Sequence, residues 1–142
     1  METNFIIKQF STDDDLRAAH PLVRELRPHV ETPEMLVELF RRQEVEGYTL
    51  IGGFSGDQLV AFAGYRLTCT LARGPHLFVD DLVTTEAVRS KGIGKVMIDW
   101  LRRVARDAGM KRVYLDSRDT AIGFYEQVGF TFLTSKPCWI EA

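Results

Sequence analysis

Residues 89–95 read Arg-Ser-Lys-Gly-Ile-Gly-Lys and combine glycines with basic side chains. They precede a stretch with helical periodicity. The first N–H groups of a helix lack partners within it, and the helix dipole adds partial positive charge at that end. Glycine lets an anion approach the backbone, and Arg89, Lys91 and Lys95 add full charges nearby. These residue types, in this order, could bind a diphosphate.

Two well-known phosphate-binding loops do not match this segment. A Walker loop requires Ser or Thr after Gly-Lys, but Val96 follows Lys95. A dinucleotide-binding fingerprint requires a third glycine, but Met97 stands at that position. An ordinary strand-to-helix turn with solvated basic residues explains the motif about equally well. The motif alone therefore leaves a diphosphate site and a simple turn as alternatives.

The elements around this segment follow from hydrophobic periodicity and turn residues. Residues 77–84 predict a strand before it, and an amphipathic helix follows it, with Gly109 suited to a left-handed cap. Other predicted strands cover Phe5–Phe10, Tyr48–Ser55, Gln58–Thr70, 112–116, 131–134 and 138–141. Other predicted helices begin near residues 11–15, at Pro33 and near Thr120, and they end near Leu26, Gln43 and Val128.

Two motifs together resemble the GCN5-related N-acetyltransferase (GNAT) family. Residues 89–94 match its [Q/R]-x-x-G-x-[G/A] signature, and residues 121–130, Ala-Ile-Gly-Phe-Tyr-Glu-Gln-Val-Gly-Phe, match its A-x-x-F-Y-x-x-x-G-F segment. The resemblance covers residues 77–130. It implies an α/β fold of the α+β type, with a mixed, mostly antiparallel sheet of about seven strands and about four flanking helices. The fourth and fifth strands should splay apart, and residues 1–142 should form one domain.

The resemblance implies transfer of an acetyl or other acyl group from acetyl-CoA to a primary amine of a small molecule or exposed peptide, by direct attack in a ternary complex. The alternative is a domain of the same fold that binds acyl-CoA as a sensor or partner module without turnover. The implied cofactor-binding residues lie on a strand edge, in the loop and near the last helix. They are Leu82, Val83, Thr84, Arg89, Ser90, Lys91, Gly92, Ile93, Gly94, Lys95, Arg118, Ala121 and Phe124. Arg118 stands where many relatives have an asparagine that holds the cofactor arm.

The resemblance also assigns an acid and a base. Tyr125 matches a tyrosine that protonates the leaving thiolate, whose ordinary pKa is about 8.5; the alternative is a packing tyrosine with its hydroxyl in water. Phe124 beside it is expected to point to the core. An alkylammonium has a pKa of about 10.4 and must lose a proton. Asp80, and Asp81 second, are candidates for the base or water anchor, on opposite faces because strand side chains alternate. A solvated or helix-capping pair is the alternative.

Composition excludes several classes of function. The chain has 142 residues and a formal net charge of −2, so it lacks the basic character of a nucleic-acid-binding domain. Its two cysteines suggest neither a disulfide framework nor a metal site, and no apolar run could span a membrane. We therefore expect a cytoplasmic protein without metal, nucleic-acid or membrane partners, while a homodimer remains open. The connection at 26–32, with Arg24, Arg27, His29 and Glu31 in or beside it, is expected to line the acceptor entrance.

Overall fold

A computed structural model of the protein describes residues 4–85, 88, 89 and 91–142. Its strands are β1 (Phe5–Phe10), β2 (Tyr48–Ser55), β3 (Gln58–Thr70), β4 (Gly74–Thr84) and β5 (Val113–Leu115). Its helices are α1 (Asp13–Leu26), α2 (Pro33–Glu44), α3 (Ile93–Asp107) and α4 (Ile122–Val128). A short 3₁₀ turn, Asp119–Ala121, leads into α4.

The strands form one sheet in the order β1-β2-β3-β4-β5. Neighbours are antiparallel from β1 to β4, whereas β4 and β5 are parallel. The predicted α+β fold, with a mixed sheet and flanking helices, is confirmed. The sheet has five strands rather than about seven, because residues 131–134 and 138–141 form none and are exposed along their whole length. The edge strand nearest to them in sequence, β5, offers only three residues for pairing.

The helices α1 and α2 begin at residues that satisfy their first N–H groups. Thr12 Oγ1 accepts from Asp15 N at 3.1 Å, and an Asp15 carboxylate oxygen accepts from Thr12 N at 3.3 Å, which completes a capping box. At the start of α2, Thr32 Oγ1 accepts from Met35 N at 3.1 Å, and Pro33 occupies the first helical position. Pro21 lies inside α1 without ending it.

Two apolar clusters cover the two faces of the sheet. α1 and α2 pack on one face, in a cluster that includes Leu16, Leu22, Leu36, Phe40, Leu50 and Phe62. α3 packs on the other face, in a cluster that includes Ile51, Ala63, Leu77, Val79, Met97 and Leu101. We call these the α1/α2 face and the α3 face. The loop before α3 therefore approaches β4 from the side opposite to α1 and α2.

β4 and β5 separate soon after they pair. Their register joins Leu77 to Val113, Phe78 to Tyr114 and Val79 to Leu115, and β4 then continues to Thr84. Residues 80–84 consequently have no strand beside them on the β5 side in the described part of the chain. This separation is the predicted splay, and it leaves backbone groups of β4 open for another partner.

Candidate active site

A β-bulge in β4 determines where the two candidate carboxylates point. Gly64 of β3 lies opposite Asp81, and Tyr65 lies opposite Val79, so Asp80 is an additional residue without a counterpart. The bulge breaks the alternation of side chains. The expectation that Asp80 and Asp81 face opposite sides of the sheet is therefore wrong, and both project to the α1/α2 face.

Two residues that are directly opposite in the sheet show this arrangement. Tyr48 of β2 pairs with Arg66 of β3, and residues opposite each other share a face. The Tyr48 hydroxyl donates to Asp81 Oδ2 at 2.6 Å, while Arg66 binds both oxygens of Asp80 at 2.8 and 2.9 Å. Arg27, just after α1, donates to Asp81 Oδ1 at 2.9 Å and to the Asp80 carbonyl at 2.8 Å.

These contacts form a charge-balanced network of two carboxylates, two guanidinium groups and one phenol. The carboxylates are largely shielded, since the side chains of Asp81 and Asp80 are 16% and 25% exposed. The hydrogen bond to Asp80 raises the pKa of Arg66. Burial, followed by the charge of Asp81 and the hydrogen bond to it, raises the pKa of Tyr48 well above its ordinary value of about 10. Tyr48 therefore remains a hydrogen-bond donor at neutral pH.

Gly64 makes the contact between Tyr48 and Asp81 possible. A Cβ atom at this position would overlap the Tyr48 hydroxyl and Cζ, and would lie 2.7 Å from Cε1. The sequence analysis did not single out Gly64, Tyr48 or Arg66. A glycine inside a predicted strand is the one available signal, because such glycines often mark a close approach of another group.

A cavity of about 220 Å³ lies between the α1/α2 helices and the sheet. Asp81 and Tyr48 line it, together with Arg27, which follows α1, and His29 of the connection between α1 and α2. Apolar residues form much of the remaining wall: Val30, Leu36, Leu39, Phe40, Leu50 and Phe62. Asp80 is not among the lining residues, and neither are Arg24 and Glu31. Of the two carboxylates, only Asp81 faces this space.

The loop before α3 exposes backbone donors. Gly92 precedes the helix in the left-handed conformation, with φ +81°, and the first helical bond runs from Val96 N to the Gly92 carbonyl. The N–H groups of Ile93, Gly94 and Lys95 consequently have no acceptor within the helix. The space beside Gly92 is open, whereas a Cβ atom at Gly94 would come within 2.9 Å of the Phe124 ring.

The charged residues of this loop have neighbours of their own. Lys95 donates to Asp99 at 2.8 Å, and this hydrogen bond is the main cause of the lowered pKa of Asp99. Arg89 donates to the Thr84 carbonyl at 3.2 Å and lies 3.8 Å from Glu25. Lys91 is exposed. Ser90, which was predicted with this loop, lies outside the described residues.

The end of β4 lies beside the loop. Leu82 packs with the α3-face cluster and Val83 with the α1/α2-face cluster. Thr84 is partly buried. The hydroxyl of the next residue, Thr85, is buried and has no partner among the described residues. The edge and the loop thus place unsatisfied polar groups next to each other.

The structure places Tyr125, rather than Phe124, toward the interior. Tyr125 is the buried residue of α4 and makes edge-to-face contacts with Phe124 and Phe130 at centroid distances of 5.1 and 5.3 Å. Phe124 is 37% exposed and covers Gly94, so its predicted position in the core is wrong. Consecutive helical residues point about 100° apart, and only one of the two can face the interior.

Arg118, whose charge acts on Tyr125, connects the segment before α4 to the end of α1. Burial raises the pKa of Tyr125, and the nearby charge of Arg118 offsets part of that rise. Arg118 donates to the carbonyl of Leu26, the last residue of α1, at 2.6 Å. Ala121 immediately precedes α4 and is partly buried. Arg118 thereby satisfies a carbonyl that the end of α1 leaves without a helical donor.

Comparison with known proteins identifies the family. The sequence matches the acetyltransferase (GNAT) family over residues 13–130. It is 33% identical over 138 residues to the uncharacterized N-acetyltransferase YhdJ of Bacillus subtilis (strain 168), covering 92% of this chain and 97% of that protein.

Solved structures agree on the fold. A Trypanosoma brucei acetyltransferase superposes with a TM-score of 0.80 at 20% identity, over 97% of this chain and 100% of that one. The aminoglycoside N-acetyltransferase AAC(6')-Iy, in complex with CoA, gives 0.80 at 14% identity, over 97% and 95%. In the described residues no helix is long and apolar enough to cross a membrane. The chain belongs to the acetyltransferase (GNAT) family and is an acetyltransferase.

Proposed function

We propose that this acetyltransferase transfers the acetyl group of acetyl-CoA to a primary amine of a small molecule or exposed peptide, by direct attack in a ternary complex. One observation carries the proposal. Among the described residues, β4 has no strand beside it on the β5 side at residues 80–84, next to the loop before α3, and the same strand contributes Asp81 to the cavity on the α1/α2 face. A donor site and an acceptor site can therefore meet across one strand.

The chain offers groups that fit an acyl-CoA. The free N–H groups of Ile93, Gly94 and Lys95 suit the pyrophosphate, with Arg89 and Lys91 beside them. The backbone of residues 82–84 would hold the pantetheine arm, and Phe124 would border it where it covers Gly94. The CoA complex of the aminoglycoside enzyme supports this assignment. When bound, acetyl-CoA supplies the acetyl group as an activated thioester.

Tyr125 is proposed as the general acid. Its raised pKa keeps the hydroxyl protonated at neutral pH. A thiolate with an ordinary pKa of about 8.5 leaves more easily when an O–H group can protonate it. The burial of Tyr125 between two phenylalanine rings also limits its freedom to rotate.

Asp81, rather than Asp80, is proposed to receive the amine. Arg66 holds both oxygens of Asp80, which does not line the cavity. Each oxygen of Asp81 accepts one hydrogen bond and keeps a second lone-pair site, so it can orient an ammonium group or a water molecule. That water would relay the proton released by the amine. Asp80 would act indirectly, by holding Arg66 in place.

Substitution of Tyr125 by phenylalanine tests the acid. General acid–base catalysis contributes about 100- to 10,000-fold, so kcat for Tyr125→Phe should fall by about 100-fold or more. Binding of CoA, measured by calorimetry, should be nearly unchanged. Release of the CoA thiol during turnover provides the rate. Unchanged turnover in this variant would remove Tyr125 from the mechanism.

Thermal unfolding with acetyl-CoA, CoA or ATP tests the cofactor. A ligand present at 100 times its dissociation constant should add about 2.7 kcal/mol to the free energy of unfolding. That amount raises the Tm by several degrees in a chain of this size. A shift with acetyl-CoA and not with ATP supports the proposal. No shift with any acyl-CoA would leave the loop an ordinary turn.

A further inference from the structure

We infer that the acceptor is a small primary amine with an apolar body and no second charged group. This inference rests on the proposed function, because it assigns the cavity beside Asp81 to the acceptor. It follows from three properties of that cavity: its volume, the pairing of its charges and the composition of its wall.

The volume limits the size of the acceptor. A cavity of about 150 Å³ can hold benzene. By the same ratio, the 220 Å³ cavity admits a body of about nine non-hydrogen atoms. A disaccharide amine is larger than this, so part of it would lie outside the cavity, and a folded protein could insert at most one side chain.

The charged side chains around the cavity are paired with one another, so they offer no partner for a second ionic group on the acceptor. Arg27 pairs with Asp81, and Arg66 pairs with Asp80, so neither guanidinium has an uncompensated charge that would attract a phosphate. The two carboxylates are equally compensated, so the network offers no excess negative charge for a polycation. Asp81 is the one carboxylate among the lining residues, and its remaining lone pairs can accept an N–H group, while His29, Gln43 and Tyr48 complete the polar lining. The polar part of the cavity therefore fits a single amine.

The wall favours an apolar body. Leu36, Phe40, Leu50 and Phe62 are almost fully buried and line the cavity with carbon atoms. A hydroxyl group against such a wall loses its hydrogen bonds to water without replacement, which costs about 1–3 kcal/mol in proteins. An apolar body gains about 25 cal/mol for each Å² that it buries. Sugar amines are disfavoured for the same reason.

A panel of four amines tests the inference. The probes are 2-phenylethylamine, its saturated analogue 2-cyclohexylethylamine, glucosamine 6-phosphate and the polycationic neamine. We expect kcat/KM for the first two to exceed that for the last two by about 100-fold or more. Direct binding to the CoA-loaded protein, measured by calorimetry, should show the same order. Equal or better use of glucosamine 6-phosphate or neamine would overturn the inference.

A matched pair of variants locates the preference in the cavity. Leu39 lines it and is only partly buried, so substitution there leaves most of the core intact. Leu39→Asn, which makes the wall polar without adding a charge, should raise KM for 2-phenylethylamine at least about 10-fold, whereas Leu39→Met, which conserves volume, should stay near wild type. CoA binding should be the same in both variants. An unchanged KM in Leu39→Asn would show that the amine binds elsewhere.

Failure of the inference can be separated from failure of the proposed function. If acetyl-CoA raises the Tm but the protein neither binds nor acetylates the two apolar amines, only the inference fails. If acetyl-CoA causes no shift and no amine is acetylated, the proposed function fails as well, and the inference with it.

Discussion

Replacement of Gly64 by alanine should strongly destabilise the protein and disrupt the contact between Tyr48 and Asp81. The added methyl group would occupy the place of the Tyr48 hydroxyl, and the Tyr48 side chain is 6% exposed with little room to move. Loss of a hydrogen bond to a charged group costs about 1.5–3 kcal/mol, and overpacking costs about 1–3 kcal/mol. The expected total is about 2.5–6 kcal/mol, a large part of a typical 5–15 kcal/mol stability.

Urea and thermal unfolding provide the assay. At about 4 °C for each kcal/mol, the Tm of Gly64→Ala should fall by about 10 °C or more. Tyr48→Phe removes only the hydroxyl, so it should cost less, about 1.5–3 kcal/mol. The matched control is Gly123→Ala. Nothing lies within 4 Å of a Cβ atom there, and alanine should stabilise α4 by up to about 1 kcal/mol.

The kinetic effect should be confined to the acceptor. Because Tyr48 and Asp81 line the cavity, Gly64→Ala should raise KM for the amine and leave CoA binding at the α3 loop nearly unchanged. A Gly64→Ala protein with the wild-type unfolding midpoint would refute the argument, since it would mean that β3 or Tyr48 relaxes at no cost.

Three further predictions concern other elements. Gly92→Val should weaken CoA binding and cost about 1–2 kcal/mol, since φ is +81° there; wild-type affinity by calorimetry would contradict the loop assignment. Because its pKa is raised, Tyr48 binds its proton more tightly in the folded protein than in the unfolded chain. The resulting contribution to the free energy of unfolding is complete below about pH 10 and falls above it. The free energy lost is about 1.4 kcal/mol per pH unit until the pKa of Tyr48 in the folded protein is reached. Urea midpoints should therefore decline less steeply above about pH 10 in Tyr48→Phe than in the wild type, since the variant has no phenol to titrate at this position. Thr12→Ala should cost about 1 kcal/mol by losing the α1 cap, and Thr131→Ala, at an exposed residue outside the helices and strands, serves as the reference in the same unfolding assay.

Local signals explain how much of the fold could be predicted. The bounds of β1, β2 and β3 agree with the sequence prediction, because hydrophobic runs and turn residues mark their ends. Gly109 and Gly129 lie just beyond the C-terminal ends of α3 and α4 and have positive φ values, as glycines that end helices commonly do. The two terminal strands were not predicted correctly, since pairing depends on a neighbouring edge that sequence alone does not reveal.

The candidate site was predictable only in part. The loop at residues 89–95 and Tyr125 came from motifs whose spacing lies within a few residues. The orientation of Asp80 and Asp81 could not be predicted from a motif, because one bulge residue reverses the face of every side chain beyond it. The predicted core position of Phe124 was likewise wrong, since helical periodicity does not say which of two neighbouring aromatic rings meets the core.

The sequence by itself determined the order of elements from β1 to α4, the glycine-containing turn before α3 and the family, because each depends on residues that are near one another in the chain. Only the tertiary structure decided how the network around Asp81 is built. Arg27 contacts Asp81 across 54 positions, and Tyr48 does so across 33. Both contacts depend on the bulge in β4, and the Tyr48 contact also requires the glycine at position 64 of β3. Such contacts depend on strand register and on the docking of α1, which short-range patterns do not specify.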